Sequence, residues 1–122
     1  PDSSLGLAHF LEHMLFMGSA KYPAHNEYSE FISQNGGHDN AFTADEQTNF
    51  FFDVKSDRFI ETVDRMAEFF KSALLSPECV EKERQAVHEE YMLWTGDDSC
   101  RRSAVLQSLG NGEYSRFSIG NQ

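Results

Sequence analysis

Residues 5–17 constrain this chain more than any other stretch. Leu5, Leu7, Ala8, Phe10, Leu11, Met14, Leu15, Phe16 and Met17 wrap a helix in apolar side chains. A helix apolar on nearly every side is a buried one. Ser3 or Ser4 is placed to cap its start, and Gly18 to stop it. The polar exceptions inside it are His9, Glu12 and His13. Buried polar groups without partners cost on the order of 2 kcal/mol or more each, so these three call for a common explanation.

Their spacing supplies one. His9 and His13 stand four residues apart, so a helix projects both from one face about one turn apart. Two imidazoles so placed can meet one tetrahedral metal ion. Glu12 falls on the same side, beside such an ion without binding it, ready to take a proton from an attacking water. The order His9-Phe10-Leu11-Glu12-His13 mirrors the commoner His-Glu-x-x-His arrangement and is one of the zinc peptidase signatures. The rival reading makes both histidines ordinary core residues bonded to main chain. A lone buried histidine would favour it; three titratable groups on one face of a greasy helix do not.

Zinc needs a third protein ligand and an open position. A second helix, opened by Ser76-Pro77 and ended by Gly96-Asp97-Asp98, offers candidates. Val80, Val87, Tyr91 and Trp94 form its inward stripe. Glu83 lies roughly 50° and Glu90 roughly 70° from the centre of that stripe, whereas Glu89 lies about 170° away. Glu83 and Glu90 therefore share one inward-leaning side. Either can bind metal, with the other orienting a histidine.

The remaining elements complete an α+β class. Asn26 caps a short helix ending near Gln34, with Gly36-Gly37 as its stop. Residues 40–43 and 48–54 read as a hairpin, whose run Phe50-Phe51-Phe52 implies a second strand covered on both faces. Ser56-Asp57 caps a long helix with Phe59, Ile60, Val63, Met66, Ala67, Phe70 and Leu74 as its inner side. A weaker helix covers residues 101–109, and the tail 110–122 holds no clear element. Two strands make no stable sheet unaided, so partner strands are expected outside the chain, before Pro1.

Composition excludes several functions. With 39% apolar residues and eleven Phe among 122 residues, the chain suits a packed core rather than disorder. A net charge of −10 argues against nucleic acid, which needs a basic surface. That acidity favours cationic peptides, although a solvated acidic face is its commoner meaning. No apolar run approaches the ~20 residues that span a bilayer. Cys79 and Cys100 form no CxxC pattern, which points to free thiols in a reducing compartment. The cytoplasm is the default location.

The sequence resembles the inverted-motif zinc peptidases, the family of insulin-degrading enzyme, nardilysin and pitrilysin. The resemblance is carried by residues 6–14, Met17-Gly18-Ser19, Lys21-Tyr22-Pro23, Asn40-Ala41-Phe42-Thr43, Phe52-Asp53-Val54, Asp64-Arg65, Glu83, Ala86-Val87, Glu90 and Gly120-Asn121. It implies one Zn2+ per chain held by His9, His13 and Glu90, Glu12 as catalytic base, and Glu83 in a supporting role. It further implies that the strand Asn40, Ala41, Phe42 and Thr43 accepts a peptide substrate as an added strand. Residues 1–122 would then be part of an N-terminal catalytic domain within a larger enzyme, whose other domains or partner subunit enclose the substrate. The expected activity is zinc-dependent endopeptidase cleavage of oligopeptides and small unfolded polypeptides, with the fragment alone inactive.

Two rivals share these residues. A non-catalytic peptide-binding or scaffold subunit of the same fold usually lacks part of the metal set, whereas His9, Glu12, His13 and Glu90 are all present here. A purely structural zinc site would be closed by four Cys or His ligands, which Cys79 and Cys100 do not supply.

Overall fold

A computed structural model describes residues 4–110. Among these residues five α-helices pack around one hairpin in the order α1 (Leu7–Leu15), α2 (Glu27–Gln34), β1 (His38–Thr43), β2 (Thr48–Asp53), α3 (Phe59–Ser72), α4 (Pro77–Gly96) and α5 (Asp98–Ser108). The α+β class is as the sequence indicates, with an antiparallel sheet of two strands among the described residues. Ser3 and residues 111–122, with Gly120-Asn121, lie outside them.

The first helix is shorter than its apolar run. Its N-cap is Gly6, at φ 83°, with no side-chain cap. That left-handed conformation strains a residue with a Cβ, which explains why serine does not take the place. Phe16 and Met17 follow as a turn on the carbonyls of His13 and Met14. Nor is α1 buried all round. Met14 and Leu15 are enclosed, but Leu7 and Leu11 are each 46% exposed. Among the described residues only α4 and the hairpin make extensive contact with this helix, and they leave its far side open.

Leu15, Tyr28, Ile32 and Phe69 form the core, joined by Phe16, Phe50, Phe52 and Met66. Phe69 stacks edge-on against Tyr28 at 4.8 Å and Phe16 at 5.1 Å, a favourable aromatic geometry. The inner side of α3 differs from the expected stripe. Thr62, Met66 and Phe69 face the core at i, i+4, i+7 spacing, while Ile60, Val63 and Phe70 are exposed. This helix carries apolar side chains on two faces, and hydrophobicity alone cannot say which one the neighbours cover. A 3-10 turn, Ser56–Arg58, precedes it in place of the expected cap.

The hairpin alternates rather than burying both faces. Phe50 and Phe52 turn toward the core and Phe51 is 45% exposed. The turn before β1 needs a glycine, because a Cβ on Gly37 would lie 2.0 Å from the Asp53 carbonyl oxygen. Further along, Ser76 caps α4 by accepting from the Cys79 N–H, with Pro77 in the first turn. The last helix, α5, starts earlier than expected because Asp97 caps it through the Cys100 N–H. Cys79 and Cys100 are both free thiols.

Candidate metal centre

Helices α1 and α4 cross so that the polar face of one meets the carboxylates of the other. Val87 of α4 is buried at 4% exposure and anchors that crossing, with Glu83 one turn before it and Glu90 one turn after. On α1 the four-residue spacing brings the rings of His9 and His13 into an edge contact, with centroids 4.8 Å apart.

Three side chains from the two helices converge. His9 Nε2 and His13 Nε2 lie 3.2 Å apart. Glu90 Oε2 is 3.4 Å from His9 Nε2, and Glu90 Oε1 is 3.6 Å from His13 Nε2. A tetrahedral zinc with bonds of about 2.0–2.1 Å has ligand–ligand edges of about 3.3–3.4 Å. The triangle of two ring nitrogens and one carboxylate, whose two oxygens each face one ring, therefore has about the size that such an ion spans. Its donor set, two imidazoles and one carboxylate, is the composition of an open zinc site.

Glu83 takes a different position. Its side chain is buried, and Oε2 meets His13 Nδ1 at 3.1 Å. A carboxylate accepts only, so His13 carries its proton on Nδ1 and turns a bare Nε2 lone pair toward the triangle. The two glutamates left open by helix geometry are thus separated by depth. Glu83 sits inside at 6% exposure, while the Glu90 side chain stands half-exposed at the rim. Three carboxylates, Glu12, Glu83 and Glu90, surround two imidazoles, so a cation would offset a dense negative charge.

Glu12 is buried at 8% exposure and accepts a hydrogen bond from Thr43 Oγ1 at 2.5 Å. An open cleft of about 560 Å3 joins these groups to β1, with residues 39–43 along one wall and Glu83 and Glu90 along the other. The bond between the Ala44 N–H and the Gln47 carbonyl sets the phase of the hairpin. Alternation then directs the main-chain groups of Asp39, Ala41 and Thr43 away from β2. In agreement, the Ala41 N–H is taken by the Asn40 side-chain oxygen at 2.8 Å. Phe42 projects from the opposite face of the strand and is 45% exposed.

All the sequence-nominated site residues thus border one cleft. Sequence reasoning missed that Thr43 bonds Glu12 through its side chain. A contact across 31 residues leaves no local signal, and the threonine reads only as a strand former. It also missed Asp39, a cleft residue whose carboxylate accepts from Ser29.

Residues 1–111 match the family described as Insulinase (Peptidase family M16). The insulin-degrading enzyme of Mus musculus is 41% identical over 124 residues, covering 100% of this chain and 12% of that protein. A relative from Schizosaccharomyces pombe whose name describes a zinc protease is 41% identical over 123 residues, covering 99% and 13%. The crystal structure of pitrilysin superposes with a TM-score of 0.90 at 38% identity, covering 99% of this chain and 13% of its own. The chain therefore spans about an eighth of the length of the relatives it matches. No helix among the described residues is long and apolar enough to cross a membrane.

Proposed function

Because the chain belongs to the insulinase family of peptidases, family M16, we propose that it carries the zinc site and catalytic base of a metalloendopeptidase. One observation carries the reading: the Nε2 atoms of His9 and His13 lie 3.2 Å apart, and the two oxygens of the Glu90 carboxylate lie 3.4 and 3.6 Å from one each. His9 Nε2, His13 Nε2 and the Glu90 carboxylate are the ligands. Bound there, zinc would polarise the substrate carbonyl and lower the pKa of a water toward ~7.

The residues of the chain do the rest. Glu83 fixes the tautomer and ring angle of His13 through Nδ1. Glu12 takes a proton from the attacking water and returns it to the leaving amine. The burial of Glu12 keeps competing solvent from this proton transfer. The substrate is a peptide in extended form, added along the free edge of β1. A substrate carbonyl replaces the Asn40 side chain on the Ala41 N–H, so that Asn40 and Ala41 lie closest to the reacting bond.

The chain is one part of a larger catalytic domain, working with further domains or a partner subunit in the cytoplasm. Exposed apolar side chains support this. Leu11 of α1 and Phe70 and Leu75 border an apolar hollow of about 550 Å3 beside Phe50, a surface that a water-facing domain would leave covered.

The test is Glu12→Gln in the full-length protein. Peptide cleavage should collapse while zinc stays at one equivalent per chain. Retained turnover would reject Glu12 as base, and a protein that binds no zinc would reject the site.

A further inference from the structure

The proposed base is tied to a partner that the scheme above leaves without a role. Thr43 and Thr48 face each other at the loop end of the hairpin, with their hydroxyl oxygens 3.0 Å apart. Thr43 Oγ1 also meets Glu12 Oε2 at 2.5 Å. A hydroxyl has one proton to give, and an ionised carboxylate only accepts. Thr43 therefore donates to Glu12, and Thr48 donates to Thr43. This makes a directed chain in which each bond polarises the next. Threonine is stiff at χ1, so the strand backbone fixes where the Thr43 oxygen lies. One carboxylate oxygen of Glu12 is held, leaving Oε1 for the moving proton.

We infer that Thr43 is a positioning residue for Glu12, supported from behind by Thr48. The inference rests on the reading of Glu12 as base and deepens it. Thr43 belongs to β1, the strand whose free edge is offered to the peptide, so one element sets both the register of the substrate and the position of the base. A plain cross-strand staple is the competing role. Losing a staple lowers stability without separating kcat from KM.

Steady-state cleavage of a fluorogenic peptide by the full-length enzyme distinguishes them, with zinc content and thermal midpoint measured alongside. Valine keeps the shape and branching of threonine and removes the hydroxyl. Thr43→Val should lower kcat about 10- to 100-fold with KM within about twofold. Thr43→Ser should regain most of kcat, and Thr48→Val should lose about threefold. Thr43→Ala set against Thr43→Ser repeats the comparison should the valine variant fold poorly. An unchanged kcat, a loss carried by KM alone, or a serine variant as slow as its hydroxyl-free counterpart overturns the inference. Glu12→Gln separates this from the parent reading. If it stays active, the base is misassigned; if it is dead while Thr43→Val is fully active, only the positioning role fails.

Discussion

Glu83 Oε2 lies 3.1 Å from His13 Nδ1, across 70 residues of chain and from the buried side of α4. The pair fixes which nitrogen of His13 carries its proton, and so which one faces Glu90. Glu83→Ala should weaken zinc binding by about 10- to 100-fold, read by chelator competition, without moving the thermal midpoint of the zinc-loaded protein by more than a few degrees. Glu83→Gln, which keeps an acceptor oxygen, should lose less. Wild-type affinity in the alanine variant would remove Glu83 from the metal centre.

Glu90 should behave differently because it closes the triangle itself. Glu90→Ala and His9→Ala should each leave less than about a tenth of the wild-type zinc content after dialysis. A Glu90→Ala protein that retains full zinc would show that another group is the third ligand.

Acid should undo the start of α5 before it disturbs the core. The Ser99 hydroxyl, and then the Cys100 N–H, hold the Asp97 carboxyl well below its ordinary value of 3.8, at about 2. A depressed carboxylate stabilises the folded state fully above its unfolded pKa, and that contribution fades as the pH falls through the folded value. Hydrogen exchange in α5, corrected for intrinsic rates, should therefore stay constant down to about pH 4 and rise toward about pH 2. Asp97→Asn still caps without titrating, so it should flatten this dependence. An equal acid response in both proteins would refute the assignment.

Gly37→Ala should displace the hairpin. A Cβ at this position meets the Asp53 carbonyl oxygen at 2.0 Å, a backbone group that cannot turn aside. The expected loss is about 3 kcal/mol, measured by urea unfolding. Because β1 forms one wall of the cleft, peptide affinity should fall with it. Stability within about 0.5 kcal/mol of the parent would mean that the backbone shifts at little cost.

Ile32 is wholly enclosed in the aromatic core. Ile32→Ala should cost about 2–5 kcal/mol in urea unfolding while zinc affinity of the folded fraction stays constant. A parallel loss of affinity would show that the core and the metal centre are coupled.

Much of the molecule was legible in the sequence because its signals are local. His9, Glu12 and His13 share one face by helical period alone, and Ser76-Pro77 announces α4. The hairpin followed from a polar stretch between two strand-like runs, and the fold class from helices on either side of it, although the alternation of Phe50, Phe51 and Phe52 was not anticipated. Misreadings arose where two local answers were equally good. Helix α3 carries two apolar faces, and the one that packs, through Thr62 and Phe69, is the less hydrophobic. Residues 5–17 promised a helix buried on all sides, yet Leu7 and Leu11 face outward among the described residues.

By itself the sequence determined which residue types stand on which helix face, since periodicity and side-chain chemistry are properties of neighbours along the chain. It left Glu83 and Glu90 equivalent, seven residues apart and on the same side. Helix geometry went no further, the family resemblance pointed to Glu90, and only the tertiary structure sets the two at different depths. The crossing of α1 over α4 puts Glu83 beneath His13 and Glu90 beside both rings, and it sets Thr43 of a distant strand against Glu12. Those distances depend on how rigid elements dock, and docking is a sum over contacts that no single segment contains.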